Sequence, residues 1–207
     1  MNSVLVKDIS NVGVGTDRIG VAVAKAMDDA PDYQYVLEKK HNRVQPLSWF
    51  FGRFAAKLAL RYGRILTTGE NDAGIFAFAP TQSPSLFAVI KAGALMLPVH
   101  FGVLGAWRAF LLGIHLEKRR LSLVTEPHWY ILAVGVEPGS QSLGKGGALL
   151  KQILQTADAD NVPTYLEIFE EQLIALYEPM GFSVLHKDHL PGGLTLWCLK
   201  RPAFDMR

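Results

Sequence analysis

Cysteine is almost missing from this sequence: Cys198 is the one thiol in 207 residues. That excludes an intrachain disulfide and a cysteine metal cluster. Cys198 lies in an apolar, strand-like run, where a buried structural thiol is the expected role. An excess of one charge is missing too. The 21 basic and 19 acidic residues leave a formal charge of +2, which gives no electrostatic case for nucleic acid as a partner. No clean apolar run of about 20 residues exists, so no stable membrane insertion is expected. Residues 86–114 come nearest, but Lys91, Pro98, His100 and Arg108 interrupt them. Two buried helices broken near Pro98 are the expectation there, with a docked peripheral surface as the lesser reading. The opening MNSVLVKDIS lacks the apolar stretch of a signal peptide, which makes a cytoplasmic location the default. No set of His, Asp and Glu has metal-ligand spacing, Glu117 beside His115 included, so no metal is expected.

What is present suits one well-buried domain: 49% of residues are hydrophobic and 19% charged. A short strand is expected near residues 3–9. Gly13 and Gly15 read as the turn before a helix capped by Thr16 or Asp17. They make a poor dinucleotide fingerprint, because no βαβ frame follows. Ile19, Val23, Ala26 and Met27 share one face of that helix, which is expected to end near Pro31. The acidic, tyrosine-bearing run 28–35 is expected as a connection between helices, a solvated loop first and one wall of an amine site as the lesser reading. The clearest amphipathic helix starts at Pro46 and carries Leu47, Phe50, Phe51, Phe54, Leu58 and Tyr62 at helical spacing, ending at Gly63. A hairpin is expected over 64–79. The two apolar helices follow, and Lys118, Arg119 and Arg120 suit the end of the second.

The remainder is organised around residues 129–150. Ile131, Leu132, Val134 and Val136 read as a strand that Pro138 and Gly139 stop. Gly144, Gly146 and Gly147 make a loop whose backbone can approach a ligand closely. Leu149, Leu150, Ile153 and Leu154 then start a helical period. A glycine loop opening a helix is an anion site, because free N–H groups and the positive dipole end point the same way. A phosphate-bearing ligand is therefore expected there. A buried strand over 164–168, an amphipathic helix over 172–180 stopped by Gly181, and strands over 182–186 and 194–200 complete the chain. The order makes a mixed α/β single domain over residues 1–207.

The run from Val136 to Gly146 contains Gln141-x-x-Gly144-x-Gly146 and resembles the acyl-CoA motif of the GNAT N-acetyltransferases. The flanking pieces match in order: HWYILAVGVEP before it, ADADNVPTYLEI after it, LYEPMGFSV beyond. The arrangement is similar to the puromycin N-acetyltransferase-like branch. The resemblance implies the GNAT fold, a central twisted mixed sheet of about six to seven strands flanked by helices. It also implies an acceptor-side half at about residues 1–125 and an acetyl-CoA half at about residues 126–200.

Roles follow from the same resemblance. The backbone of Val134, Gly135 and Val136 would pair with the pantetheine arm of acetyl-CoA, and Gly135 within the strand fits a bulge or a close backbone approach. Gln141 and the N–H groups of Leu143, Gly144, Lys145, Gly146 and Gly147 would hold the pyrophosphate. The Lys145 side chain would add a surface charge contact or stand solvated. Tyr177 matches the general acid that protonates the leaving thiolate. The Val134 N–H would meet the oxyanion. Glu167, a carboxyl in an apolar strand, would have a raised pKa suited to taking a proton from the amine; a structural hydrogen-bonding role is the other reading.

The implied function is acetyl transfer from acetyl-CoA to a primary amine of a small molecule or peptide. Asp28, Asp29, Asp32 and Tyr33 suit a cationic amine, and the phenylalanines from Phe50 to Phe54 an aromatic or aliphatic body; neither set selects a compound. A homodimer is left open. Two departures stand out. Leu173 replaces an Asn that helps many relatives hold the cofactor. Ile168 replaces a Thr, with Phe169 following in place of a small residue. They support an alternative, a non-catalytic acyl-CoA-binding sensor or interaction module.

Overall fold

Seven strands form one sheet in the computed structural model, which describes residues 4–10, 15–80 and 84–203. They are β1 (Val6–Asp8), β2 (Gly63–Thr68), β3 (Ala73–Phe78), β4 (Trp129–Val136), β5 (Thr164–Ile168), β6 (Ser183–His189) and β7 (Thr195–Arg201). Their order across the sheet is β1-β2-β3-β4-β5-β7-β6. Only β4 and β5 are parallel. The helix between them, α8 (Lys145–Ala159), supplies the crossover that parallel neighbours need.

Strand alternation feeds two layers. Ile65 and Phe76 pack with Ile19 and Val23 of α1 (Thr16–Ala26) and with Leu47 of α3 (Val44–Trp49). Leu66, Ile75 and Ile131 pack instead with Leu149, Leu150 and Ile153 of α8. On β4 this parity reverses. Phe76 pairs with Ala133 while Ala77 pairs with Ile131, so Leu132 is an extra residue. Ile131 therefore serves the α8 layer and Ala133 the α1 layer. Two residues apart on a regular strand would face the same way; the bulge is what turns them.

The bulge lies just where β4 leaves β5. The parallel pairing runs through Trp129–Thr164, Tyr130–Tyr165 and Ile131–Leu166 and stops. Beyond it, α1 lies against β4. A Cβ on Gly135 would come within 2.9 Å of Val23 Cα, nearer than any side chain allows. The glycine within the strand thus marks a close approach, and the bulge sits three residues earlier.

Several helices differ from expectation. Gly13 lies outside the described residues, but Gly15 is the α1 N-cap at φ 89°, in place of Thr16 or Asp17. Asp17 is engaged by Arg53. Residues 28–35 are not a plain connection, because Pro31 opens α2 (Pro31–Val36). Proline fits the first helical turn, where its missing N–H costs nothing. The aromatic helix begins at Val44 and passes through a π-helical turn, Phe50–Ala55, into α4 (Ala56–Tyr62). The 172–180 helix is short pieces: a 3-10 turn Glu171–Leu173, α9 (Ile174–Tyr177) and a second turn Glu178–Met180, with Pro179 limiting its length.

The apolar region differs most. It forms α5 (Leu86–Ala92), α6 (Leu97–Phe101) and α7 (Val103–Leu123). The main break is Gly102, at φ 78° and ψ 161°, while Pro98 sits within the first turn of α6. These helices are buried on one side only, through Ala88, Ala92, Phe101 and Ala106. Val103 is 80% exposed and Leu86 75%. The inward side of α7 carries Ala106, Ala109, Leu112 and Leu116, which pack on the core, and polar groups among them. Arg108 donates to the Tyr35 carbonyl at 2.8 Å and to Glu38, and His115 and Arg119 both meet Asp188.

Candidate active site

The parting of β4 from β5 opens a cleft of about 620 Å³. Tyr130 to Val136 form one wall, and the loop to α8 closes one end. Glu167 to Glu170 and Tyr177 form the opposite wall, and α2 with Leu116 of α7 closes the far end. Val134, Gly135, Val136, Gln141, Gly144, Lys145, Gly146, Gly147, Glu167 and Tyr177 all line this cleft. Leu143 does not, and its side chain is largely exposed.

The loop end is made of backbone. Gly144 is the α8 N-cap in the left-handed region, at φ 73°, where a Cβ is disfavoured. The first helical bond is Ala148 N–H to the Gly144 carbonyl. The N–H groups of Lys145, Gly146 and Gly147 therefore have no helical acceptor. The Gln141 amide folds back and donates to the Val136 carbonyl at 3.2 Å, tying the loop to the end of β4.

The Lys145 side chain is held by carboxylates rather than solvated. It pairs with Asp72 and, at 2.8 Å, with Glu70, both in the turn between β2 and β3. A lysine in the first turn has the sign that the helix start disfavours, and the two carboxylates offset it. Burial alone would raise the Asp72 carboxyl. Hydrogen bonds from Lys145, Ser140 and Thr68 outweigh it and hold the group well below the usual carboxylate range. The hairpin turn is thereby clamped to the α8 start.

The opposite wall carries the titratable groups. Tyr177 is buried edge-on against Phe182, with ring centroids 5.6 Å apart. Burial pushes its phenol up to about 12. Glu167 accepts hydrogen bonds from Tyr130 at 2.8 Å and Tyr165 at 3.0 Å. Burial nevertheless raises its carboxyl to about 7, against the opposing pull of those two donors. The Arg120 guanidinium lies over the Tyr130 ring at 5.1 Å.

Sequence reasoning missed both tyrosines. Tyr165 and Glu167 share a strand face, which period-two alternation makes visible. Tyr130 reaches Glu167 from 37 positions away, through the β4–β5 pairing, and no local signal marks it.

Of the four residues expected to suit an amine, only Asp32 and Tyr33 line the cleft. Asp28 and Asp29 face Arg43 at 3.4 and 3.6 Å. Burial pushes the Asp32 carboxyl up to about 7, and the charge of Glu170 adds to the rise. The phenylalanines of the π-helical turn do not line the cleft. Phe50 and Phe51 pack against Tyr33, the Phe51 ring edge-on at 5.8 Å, while Phe54 stacks with Trp49. Ile168, Phe169 and Leu173 all lie on the wall, so this stretch of it is apolar. Among the described residues, no group of three or more His, Cys, Asp or Glu is placed to hold a metal ion. No described helix is long and apolar enough to cross a membrane.

Residues 99–182 match the sequence model of the acetyltransferase (GNAT) family. That span holds β4, the loop, α8, β5 and Tyr177. Solved structures of similar fold include histone acetyltransferase HPA2 and related acetyltransferase from Corynebacterium glutamicum, 18% identical, with all of both chains covered and a TM-score of 0.70. Another is arylalkylamine N-acetyltransferase 2 from Aedes aegypti, 9% identical over 98% of this chain and 100% of that one, TM-score 0.65. A third is an agmatine N-acetyltransferase, 12% identical over 96% and 98%, TM-score 0.59. The chain has the GNAT acetyltransferase fold, a seven-stranded mixed sheet flanked by helices. The family match over residues 99–182 and the fold both point to the GNAT superfamily; they do not single out the puromycin N-acetyltransferase-like branch.

Proposed function

We propose that this protein is an N-acetyltransferase of the puromycin N-acetyltransferase-like branch that moves an acetyl group from acetyl-CoA to a primary amine of a small molecule or peptide. The observation that carries the reading is a coincidence in one cleft. An unpaired strand edge, an open helix start and two groups of different acidity, Glu167 and Tyr177, all face it.

The residues present fit acetyl-CoA. The free N–H groups of Lys145, Gly146 and Gly147 suit the pyrophosphate, and the loop N–H of Leu143 and of Gly144 extends the cradle. The Val134–Val136 edge, no longer paired with β5, suits the amide-bearing pantetheine arm. When bound, acetyl-CoA supplies the thioester that the amine attacks. Glu167, at about 7, accepts the amine's proton near neutral pH. Tyr177 keeps its own proton until about 12 and donates it where the thiolate departs. The Val134 N–H faces developing negative charge. Asp32, at the far end, attracts a cationic acceptor.

The test is thiol release from acetyl-CoA across an amine panel, wild type against Tyr177→Phe. The variant is expected to lose roughly a hundredfold or more in kcat while still binding CoA. Tight CoA binding with no turnover of any amine would instead establish the sensor reading.

A further inference from the structure

The outer surface of α5 and α7 is apolar over a length that the fold does not cover. On α7, the solvent-facing positions from Val103 to Ile114 include Trp107, Phe110 and Leu111, and no polar side chain interrupts them. Twelve residues of helix make this face about 18 Å long. On the preceding helices Leu86 and Phe87 of α5 and Val99 of α6 are exposed too, at 75%, 73% and 67%. Isolated apolar residues on a surface are ordinary, but a continuous face is an interaction site. It is not left over from packing either. The helix docks on the domain by its other side, where Arg108, His115 and Arg119 stand among the packed Ala106, Ala109, Leu112 and Leu116.

Charge decides what covers it. No Asp or Glu occurs between Asp72 and Glu117, a stretch that spans the whole face. Exposed lysines edge it: Lys91 on α5, Lys57 beside the end of α5 with its Nζ 3.4 Å from the Ala92 carbonyl, and Lys118 on α7. None has a carboxylate within ion-pair distance among the described residues. An aromatic-bearing apolar face edged by unpaired lysines, with no acid within it, complements an anionic lipid surface. A second copy fits less well. The face of a partner copy would offer these lysines no carboxylate within residues 73–116.

We propose that the α5–α7 face docks the protein on an anionic membrane surface, lying in the plane of the interface. Docking does not depend on the catalytic reading. Its consequence for catalysis does: Leu116 of α7 and Asp32 of α2 close the far end of the cleft, so an amine would enter within about a helix diameter, ~10 Å, of the lipid headgroups.

Vesicle co-sedimentation tests this with the full chain. The vesicles are phosphatidylcholine alone, and phosphatidylcholine with phosphatidylglycerol in roughly two-to-one proportion. The wild type is expected to pellet with the anionic vesicles at low salt and to be released by high salt. Trp107→Ser with Phe110→Ser should weaken binding at least ~10-fold. Lys57→Glu with Lys91→Glu should weaken binding by a similar factor, roughly tenfold, on anionic vesicles only. All four side chains are exposed, so unchanged circular dichroism and thermal midpoints should accompany both variants. Three results would overturn the proposal. One is a wild type that stays in solution with anionic vesicles at low salt. Another is full binding by the Trp107/Phe110 variant. The third is a wild-type dimer, by light scattering, that ignores vesicles and becomes monomeric in that variant.

Discussion

The two ends of the cleft are built from different material. At the α8 end the surface is backbone: the N–H groups behind Gly144 and the unpaired edge of β4, both within residues 134–147. At the far end it is side chains, Asp32 and Tyr33 from α2, Leu116 from α7 and Glu170 after β5. Between them stand Glu167 and Tyr177. A backbone surface has fixed chemistry and tolerates little intrusion. A side-chain surface is retuned one substitution at a time. In the proposed reaction the constant partner, acetyl-CoA, meets the first and the variable partner, the amine, meets the second.

The largest effect belongs to the groups between the two ends. Glu167→Gln should lower kcat/KM by roughly 10²–10⁴-fold. With a neutral amine, on which the Asp32 charge does not act, wild-type kcat/KM should rise with pH through about 7, the value to which burial brings the Glu167 carboxyl, and the variant should lack that rise. Tyr130→Phe sharpens the assignment. It removes a donor that pulls the Glu167 carboxyl down, so the rise should move to higher pH. A pH profile unchanged in both variants would remove Glu167 from the reaction and leave it a structural acceptor for two tyrosines.

The same residue should carry a stability cost. The Glu167 carboxyl is raised from its ordinary 4.5 to about 7, so the folded chain binds its proton more tightly than the unfolded chain does. Stability is then favoured below about 4.5 and falls as pH rises to about 7, by up to roughly 3 kcal/mol. Glu167→Gln removes that titration. Its stability relative to wild type should therefore be greater at pH 8 than at pH 4, as read by urea unfolding at each pH. Equal differences at the two pH values would mean that the carboxyl is not desolvated as placed.

This contrast in material also explains what can be read from the amino-acid order. Gln141-x-x-Gly144-x-Gly146 is legible because a backbone site is local: the turn, the free N–H groups and the following helix are consecutive. The bulge at Leu132 is not, since Ile131, Leu132 and Val134 are all apolar and only the two packing layers reveal the change of parity. Pro31 reads as a helix end, though the same preference places proline at a helix start, and that reading turns α2 with its Asp32 into a connection. Residues 86–114 read as buried because apolar residues usually are. The ion pairs that help to fix which side of α7 faces inward join it to Glu38 and Asp188, which are far away in the chain. Tyr130 is hidden for the same reason.

The smallest effects test the contrast directly, as a pair. Gly146 lies on the cleft, and a Cβ added there would meet only Val136 Cγ2, at 3.4 Å. Gly146→Val should fold, fill the cradle and raise KM for acetyl-CoA roughly tenfold or more, the loss of one charge-assisted hydrogen bond, with KM for the amine little changed. Asp32→Asn should do the reverse. It keeps the shape of the far end and removes its charge, so KM for a cationic amine should rise severalfold, up to roughly tenfold, and KM for acetyl-CoA should hold. The rise should also be confined to high pH. Below about 7 the Asp32 carboxyl is protonated in the folded chain, and wild type and variant should converge there. If both substitutions raise both constants together, the ends are not independent surfaces. The parted strands would then be one shared binding element, with amine and acetyl-CoA ordering it jointly.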